Sequence, residues 1–295
     1  MTPLLKAVKL GMYASRASLA ERFDDLVSVG VDGVEIGFDD AFSPAEVTAA
    51  AASSGLQVPT LVANDTFSSS LAAADREERD RAARAVVRAV DAASSVGARV
   101  VMISPGWDRA DLTPGATAAV VREALDPAVL AAGTAHVTLA VENLWNGWLT
   151  SPDDLGSFVD SFTPGRVGVL FDSGNAARFS AAQHWVEVLG PRIVRLDVKD
   201  YKFGWARRPA TVYGDDAALQ AAWGEGGPWG ALDARPFEGD VDWARLAWAI
   251  RRSGYQGGWC CAEHGPGDLG WIADLVARLD RFSALCADGG RRGSR

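Results

Sequence analysis

The sequence is poor in the residues that disulfide-linked and zinc-finger proteins need. It has three cysteines and three histidines in 295 residues. Cys260 and Cys261 are adjacent and Cys286 follows much later, which is neither a disulfide framework nor a zinc-binding spacing. We therefore expect the three thiols to be buried as small apolar side chains.

Positive charge is also scarce. The 29 Lys and Arg residues are outnumbered by 38 Asp and Glu residues, which gives a formal net charge of −9. A surface this negative repels a phosphate backbone, so we expect no nucleic-acid partner.

Long apolar runs and nucleotide-binding glycine motifs are absent as well. No stretch approaches the ~18 apolar residues of a membrane-spanning helix, and the N-terminal MTPLLKAVKLGMYAS has no signal-peptide pattern. The expectation is a cytoplasmic protein that does not associate with a membrane. No Gly-x-Gly-x-x-Gly follows the first predicted strand, which argues against a doubly wound dinucleotide-binding sheet.

The sequence does contain a regular alternation of short apolar runs and longer helical patterns, which is typical of repeated βα units. Eight runs have the composition of buried strands. They are AVKLGMY from Ala7, GVEIGF from Gly33, VPTLVAN from Val58, RVVMISPG from Arg99, VTLAVENL from Val137, VGVLFD from Val167, IVRLDVKD from Ile193 and GWCCAEHG from Gly258. This count predicts an α/β protein with a single (β/α)8 TIM barrel.

We predict that the barrel covers residues 1–287. Residues 201–239 form an insertion after the seventh strand that is far longer than an ordinary βα loop, so we interpret it as a lid or substrate loop. Residues 288–295, rich in Gly and Arg, are predicted to be a disordered tail. Related barrels often pair through such loops, which leaves a homo-oligomer open.

Four consecutive predicted strands end in a carboxylate. These residues are Glu142, Asp172, Asp197 and Glu263. The C-terminal ends of barrel strands converge on one mouth. Ionised carboxylates grouped at the edge of an apolar core repel one another and lose hydration, so a metal ion or a set of basic partners must compensate them.

These segments resemble the xylose isomerase-like TIM-barrel superfamily, the sugar phosphate isomerase/epimerase family. The likeness is carried by GVDGVEIGF, VGARVVMISPG, the VEN of strand five, DSGN, DVKD, and FEGDVDW followed by GYQGGWCCAE. The resemblance implies a divalent metal held by Glu142, Asp172, Asp197 and Glu263. It also implies that Glu142 and Glu263 act as the catalytic base and acid.

Two positions depart from the family pattern. Asn175 stands where the D-x-x-H box has its histidine, and Asp197 stands where the H-x-K-D box has its histidine. An all-oxygen set of ligands selects hard ions, so Mn²⁺ or Mg²⁺ is predicted. Four carboxylates exceed the charge of a divalent ion by about two. A cation among Lys199, Arg195 and Arg178, or a protonated carboxylate, is then required.

The resemblance implies isomerisation or epimerisation of a sugar, ketose or cyclitol through an enediolate whose charge the metal stabilises. Asn175, Lys199 and Glu35 are expected to contact the substrate. Trp107 and Trp145 are expected to do the same, because indole faces pack well on sugar rings and aglycones. The predicted partner is therefore a small-molecule carbohydrate or glycoside.

Two other functions stay open from the sequence. A dehydratase or C-glycoside lyase would use the same metal-enolate chemistry to expel a substituent. A catalytically silent sugar-binding barrel would have lost its metal together with the two family histidines. Lys199 and Asp200 are interpreted as a pair behind the metal ligands, and His264 as a structural residue.

Overall fold

The computed structural model describes residues 2–38, 42–206 and 228–287. Eight parallel strands pair in sequence order from β1 to β8, and β8 pairs with β1 to close the barrel. The predicted TIM barrel is therefore confirmed. Residues 207–227, most of the predicted insertion, and the predicted tail at 288–295 lie outside the described residues.

The strands are short, and most of their residues are buried, as expected for a parallel sheet covered on its outer face by helices. Their bounds are β1 Leu5–Lys9, β2 Gly33–Gly37, β3 Gln57–Val62, β4 Val100–Ile103, β5 Thr138–Glu142, β6 Val167–Asp172, β7 Ile193–Asp197 and β8 Trp259–Ala262. Each overlaps one predicted strand.

Helices follow the strands and pack around the barrel. They are α1 Leu19–Ser28, α2 Pro44–Ser54, α3 Asp65–Ser68, α4 Arg76–Val96, α5 Pro114–Ala135, α6 Pro152–Asp160, α7 Ser173–Ala177, α8 Ala182–Leu189, α9 Trp243–Ser253 and α10 Leu269–Ala287. Short 3-10 turns lie at Leu10–Met12, Gly190–Arg192, Phe203–Trp205 and Pro228–Asp233. Among the described residues, no helix is long and apolar enough to cross a membrane.

Local sequence signals account for several helix ends. Ser43 accepts a hydrogen bond from the backbone N–H of Glu46, and the Glu46 carboxylate accepts one from the Ser43 backbone N–H, which completes a capping box at the start of α2. The long helix α4 is capped at its C-terminus by Gly97, whose φ of +78° is the left-handed conformation that glycine adopts without strain.

Buried apolar side chains fill both sides of the strand layer. The larger cluster lies between strands and helices and includes Phe23, Trp185 and Phe282. A smaller cluster consists only of strand side chains and fills part of the barrel interior: Val62, Val100, Met102, Ala140 and Leu170. The barrel is therefore a packed scaffold, and its polar side chains gather at the C-terminal ends of the strands.

Candidate active site

Four acidic side chains converge where strands β5 to β8 end. Glu142, Asp172 and Asp197 are the last residues of β5, β6 and β7, and Glu263 directly follows β8. Asp172 and Asp197 are register partners across the β6–β7 pair. Each of the four residues offers a carboxylate oxygen, and these oxygens all lie within 4.8 Å of one another. The predicted cluster of carboxylates therefore exists in the fold.

Two lysines lie between these carboxylates. The Nζ of Lys199 is 3.0 Å from Asp172 Oδ2 and 3.0 Å from Glu263 Oε2. The Nζ of Lys9, at the end of β1, is 2.8 Å from Glu263 Oε2 and 3.2 Å from Asp197 Oδ2. Lys199 was predicted from the sequence to lie near the carboxylates, whereas Lys9 was not, although these two are half of the four lysines in the chain.

The environment moves the pKa values of the acidic groups in opposite directions. Burial, reinforced by the negative charges of Glu263 and Asp172, raises the pKa of Glu142 to about 8. Burial also raises the pKa of Asp197 well above its usual range. For Glu263, burial is outweighed by the ammonium groups of Lys199 and Lys9, which lower its pKa.

The pKa of the Lys9 ammonium also reflects this setting. Burial by itself would lower it, but the carboxylates of Asp197 and Glu263 raise it well above the ordinary value. Lys9 therefore stays charged, and the cluster keeps a fixed positive group at the β1 side of the barrel mouth.

The donor chemistry and charge of this cluster fit a divalent cation. Asp197 Oδ1 is buried and has no hydrogen-bond partner among the described residues, whereas the buried Asp172 Oδ2 and Asp197 Oδ2 form ion pairs with Lys199 and Lys9. When all are ionised, the four carboxylates and the two ammonium groups carry a formal charge of −2. One divalent ion would cancel this charge, and carboxylate oxygens are the ligands that hard divalent ions prefer.

The DSGN box that follows β6 holds Asp172 and Asn175 in place. Asp172 Oδ1 accepts a hydrogen bond of 2.7 Å from the Asn175 backbone N–H and so caps α7. The Nδ2 of Asn175 donates to Glu142 Oε1 at 3.0 Å. Asn143 fixes the Asp172 backbone by bonding to both its N–H and its carbonyl. Asn175 thus positions Glu142 through this hydrogen bond. The N–H of an amide side chain can donate such a bond, as the ring N–H of a histidine can.

A cavity of about 380 Å³ opens above the cluster. Glu142, Glu263, Lys9 and Glu35 contribute its charged floor, together with Arg22. The predicted substrate residue Glu35 is 1% exposed, and its Oε2 has no hydrogen-bond partner among the described residues. Glu35 also lies with Asp197 and Cys261 in a second group whose ligand atoms are within 4.8 Å of one another.

Aromatic side chains form one wall of the same cavity. Trp107 and Trp145, which we expect to contact the substrate, line it together with Phe42 and Phe67. Trp107 is 37% exposed and Phe67 44% exposed, so both present ring area at the entrance. Trp145 is buried, donates its Nε1–H to the Asn175 carbonyl at 3.0 Å, and lies beneath the Arg178 guanidinium. The cavity therefore combines aromatic side chains with three carboxylates and two cationic groups.

Two interpretations from the sequence were wrong. The Arg195 guanidinium on β7 donates to the Thr60 hydroxyl and the Pro59 carbonyl on β3, so it connects two strands that are not neighbours in the barrel and does not neutralise the carboxylates. Asp200 is not paired with Lys199. Its carboxylate instead accepts hydrogen bonds from segments that end the insertion, which sequence distance alone did not indicate.

Arg178 and His264 each make defined contacts with an aromatic side chain. Arg178, another candidate cation, stacks on the Trp145 ring with its Cζ 4.5 Å from the ring centroid. The His264 ring contacts the Asp233 carbonyl at 3.0 Å and packs edge-on against Trp271, in agreement with a structural role. Burial lowers the pKa of His264, which favours its neutral form.

Comparison with known families and structures agrees with this geometry. The family described as xylose isomerase-like TIM barrel matches residues 23–280. No curated protein has a sequence close enough to this chain to count as a match.

Similar folds are seen in several solved structures. A D-tagatose 3-epimerase-like protein has a TM-score of 0.74 and 15% identity, over 96% of this chain and 98% of that chain. The 3-keto-D-glucoside 4-epimerase YcjR from E. coli has a TM-score of 0.71 and 14% identity, over 94% and 99%. The IOLI protein with a binding zinc atom has a TM-score of 0.72 and 11% identity, over 98% and 100%. At such low identities these likenesses show the shared fold alone.

Proposed function

Because the chain belongs to the xylose isomerase-like TIM-barrel family, we propose that it is a divalent-metal-dependent isomerase or epimerase of a sugar, ketose or cyclitol. The observation that carries this proposal is the convergence of four carboxylates at the barrel mouth, two of which line the cavity. The epimerases among the structures of similar fold support the same class of reaction.

Glu142, Asp172, Asp197 and Glu263 would hold the cation. Their oxygens suit Mn²⁺ or Mg²⁺ better than softer ions. When bound, such an ion supplies electrostatic stabilisation of negative charge on substrate oxygens. Lys199 reduces the net negative charge of the cluster, because its ammonium contacts both Asp172 and Glu263. Its side chain is 1% exposed, so it does this from the buried side of the cluster.

The proton transfers would be made by Glu142 and Glu263. Both line the cavity, and they come from β5 and from the end of β8, so they reach the substrate from different strands. One carboxylate removes the proton next to the carbonyl carbon, and the other returns a proton to the neighbouring carbon or to the opposite face. The Asn175 amide orients Glu142 for this transfer.

The cavity supports a carbohydrate or glycoside as substrate. Its three carboxylates can accept hydrogen bonds from hydroxyl groups, and the aromatic side chains of Trp107, Trp145 and Phe67 line the same space, which suits the apolar face of a sugar or an aglycone. Both features lie within one space of about 380 Å³, a size that suits a small molecule.

Incubation with ketoses and 3-keto-glycosides in D₂O is the direct test of this proposal. We expect deuterium to enter the carbon next to the carbonyl and a product of otherwise unchanged composition to form. Exhaustive chelation should stop both events, and Mn²⁺ or Mg²⁺ should restore them. Nuclear magnetic resonance locates the deuterium, and mass spectrometry detects any change in composition.

The same experiment separates the other two functions. Loss of water or of an aglycone would identify a dehydratase or C-glycoside lyase. Binding of a sugar with no deuterium uptake, in the presence of Mn²⁺ or Mg²⁺, would identify a silent sugar-binding barrel. Unchanged exchange after chelation would contradict the metal dependence while leaving an isomerase in place.

A further inference from the structure

Lys9 occupies a position in the cluster that the closure of the barrel creates. It is the last residue of β1, and β1 pairs with β8, so it lies beside Glu263 despite a separation of 254 residues. Its side chain is 17% exposed and lines the cavity. The Lys9 ammonium is therefore both fixed by the cluster and open to a bound molecule.

The donor capacity of Lys9 exceeds what the cluster uses. A lysine ammonium has three N–H donors. One donates to Glu263 Oε2 at 2.8 Å, and the ammonium also forms an ion pair with Asp197 Oδ2 at 3.2 Å, which takes up at most one more. Among the described residues these are its two short contacts, which leaves one N–H for a molecule in the cavity. Lys199 differs because it is 1% exposed and is held at the back of the cluster.

We propose that Lys9 is a substrate-binding residue whose remaining N–H donates a hydrogen bond to the oxygen that gains negative charge when the neighbouring carbon loses its proton. The ligand class is an α-hydroxy ketone and its enediolate. This inference rests on the proposed function and adds to it a fixed cationic donor that the protein chain itself provides.

The electron and proton balance of the step is complete. Glu142 or Glu263 takes the proton from carbon, and the electron pair of the broken C–H bond forms the carbon–carbon double bond. The carbonyl π electrons move to oxygen, to which Lys9 donates a hydrogen bond while keeping its own proton. In epimerisation a proton returns to the same carbon from the opposite face and the electron flow reverses. In isomerisation a proton goes to the neighbouring carbon while the hydroxyl proton moves to the former carbonyl oxygen, and neither reaction has a net oxidation or reduction.

The position of this donor explains why it would favour the charged species. An ammonium held by two carboxylates does not have to reorient when charge develops on the substrate. Removal of one such preorganised donor typically lowers turnover by about 10²–10³-fold. We expect Lys9→Met to show a loss of this size, with a smaller loss for Lys9→Gln, which keeps an N–H donor without the charge.

Binding of threonohydroxamate, a planar mimic of an enediolate, tests the inference separately from activity. Its dissociation constant should rise at least about tenfold in Lys9→Met, in both the metal-free and the Mn²⁺-loaded protein. The matched control is Lys6→Met on the same strand, because Lys6 pairs with Asp32 and Asp280 outside the cluster. The control variant should bind the probe as the wild type does.

A measurement on the unmodified protein covers the case in which the Lys9 variants do not fold. The chain has four lysines, so ¹⁵N-lysine labelling gives four ammonium signals. The Lys9 signal should shift when threonohydroxamate is added, and the Lys6 signal should not.

Three outcomes are distinguishable. Equal probe affinity in wild type and Lys9→Met, with no shift of the Lys9 signal, would overturn the inference and leave the isomerase proposal standing. Lys9-dependent binding without any Mn²⁺ binding would support the inference and overturn the metal dependence. Failure of the wild type to bind the probe in either state would overturn the inference, and absence of deuterium uptake would then overturn the function as well.

Discussion

Glu142→Gln is expected to lower turnover by about 10³-fold or more while the barrel stays folded. Glutamine has nearly the same shape, and its carbonyl oxygen can still accept the hydrogen bond that Asn175 donates at 3.0 Å. It cannot exchange a proton with substrate carbon, and general acid–base catalysis typically contributes 10²–10⁴-fold. The variant also removes one of the proposed metal ligands, which adds to the loss.

The free energy of unfolding of Glu142→Gln should be close to that of the wild type or higher. Glu142 is 3% exposed, and its environment disfavours the charged form, since burial raises its pKa. A neutral amide avoids that cost. The first effect is checked by the turnover of a ketose that the wild type converts, and the second by thermal unfolding. Glu187→Gln, at an exposed position on α8, is the matched control. Glu142→Gln with wild-type turnover would remove Glu142 from the mechanism.

Asp200→Ala is expected to destabilise the protein by about 4 kcal/mol or more. The Asp200 carboxylate is fully buried and accepts four hydrogen bonds. The donors are the backbone N–H groups of Tyr201, Gly239 and Val241 and the indole N–H of Trp243. Each buried donor left without a partner costs about 1–3 kcal/mol. The carboxylate joins the end of β7 to the start of α9.

The midpoint of thermal unfolding should accordingly fall by about 10 °C, at roughly 2–4 °C per kcal/mol for a protein of this size. Asp111→Ala is the control, since Asp111 pairs with Arg109 on the surface and should change stability little. The contact around Asp200 is tight, because a Cβ at Gly239 would collide with its carboxylate. An unchanged midpoint in Asp200→Ala would show that this network does not hold the segment.

The sequence was sufficient for the barrel and for most of the acidic cluster. Both follow from local patterns: each strand is an apolar run, and each of the carboxylates Glu142, Asp172, Asp197 and Glu263 directly ends or follows one. Parallel strands of one barrel end at the same mouth, so a residue's place within its own strand decides where it lies. Long-range information was not needed for these predictions.

The contacts of three residues could not be predicted without the closed barrel: Lys9, Arg195 and Asp200. Lys9 meets Glu263 through the β1–β8 pair, which only closure creates. Its signal in the sequence was a lysine at the end of a buried strand in a chain with four lysines. Asp200 follows Lys199 directly, but successive residues of an extended chain point in opposite directions, so the two side chains have different partners.

The two positions at which the family resemblance implies a histidine have defined contacts in the structure. Asn175 keeps a donor to Glu142, and Asp197 adds a negative charge that Lys9 contacts at 3.2 Å. The Lys9 ammonium offsets the charge of the Asp197 carboxylate, so the ionised cluster of four carboxylates and two ammonium groups keeps a formal charge of −2 for a divalent ion. The replacements are therefore compatible with a metal site made of oxygen ligands.

Titration of the metal-free protein with Mn²⁺ by isothermal calorimetry tests the central claim most directly. We predict one ion per chain, and at least about tenfold weaker binding in Asp172→Asn, which can still cap α7 through its side-chain oxygen. The surface variant Asp111→Asn should bind like the wild type. Absence of Mn²⁺ and Mg²⁺ binding to the folded wild type, or equal affinity in Asp172→Asn, would contradict a metal centre built from these four carboxylates.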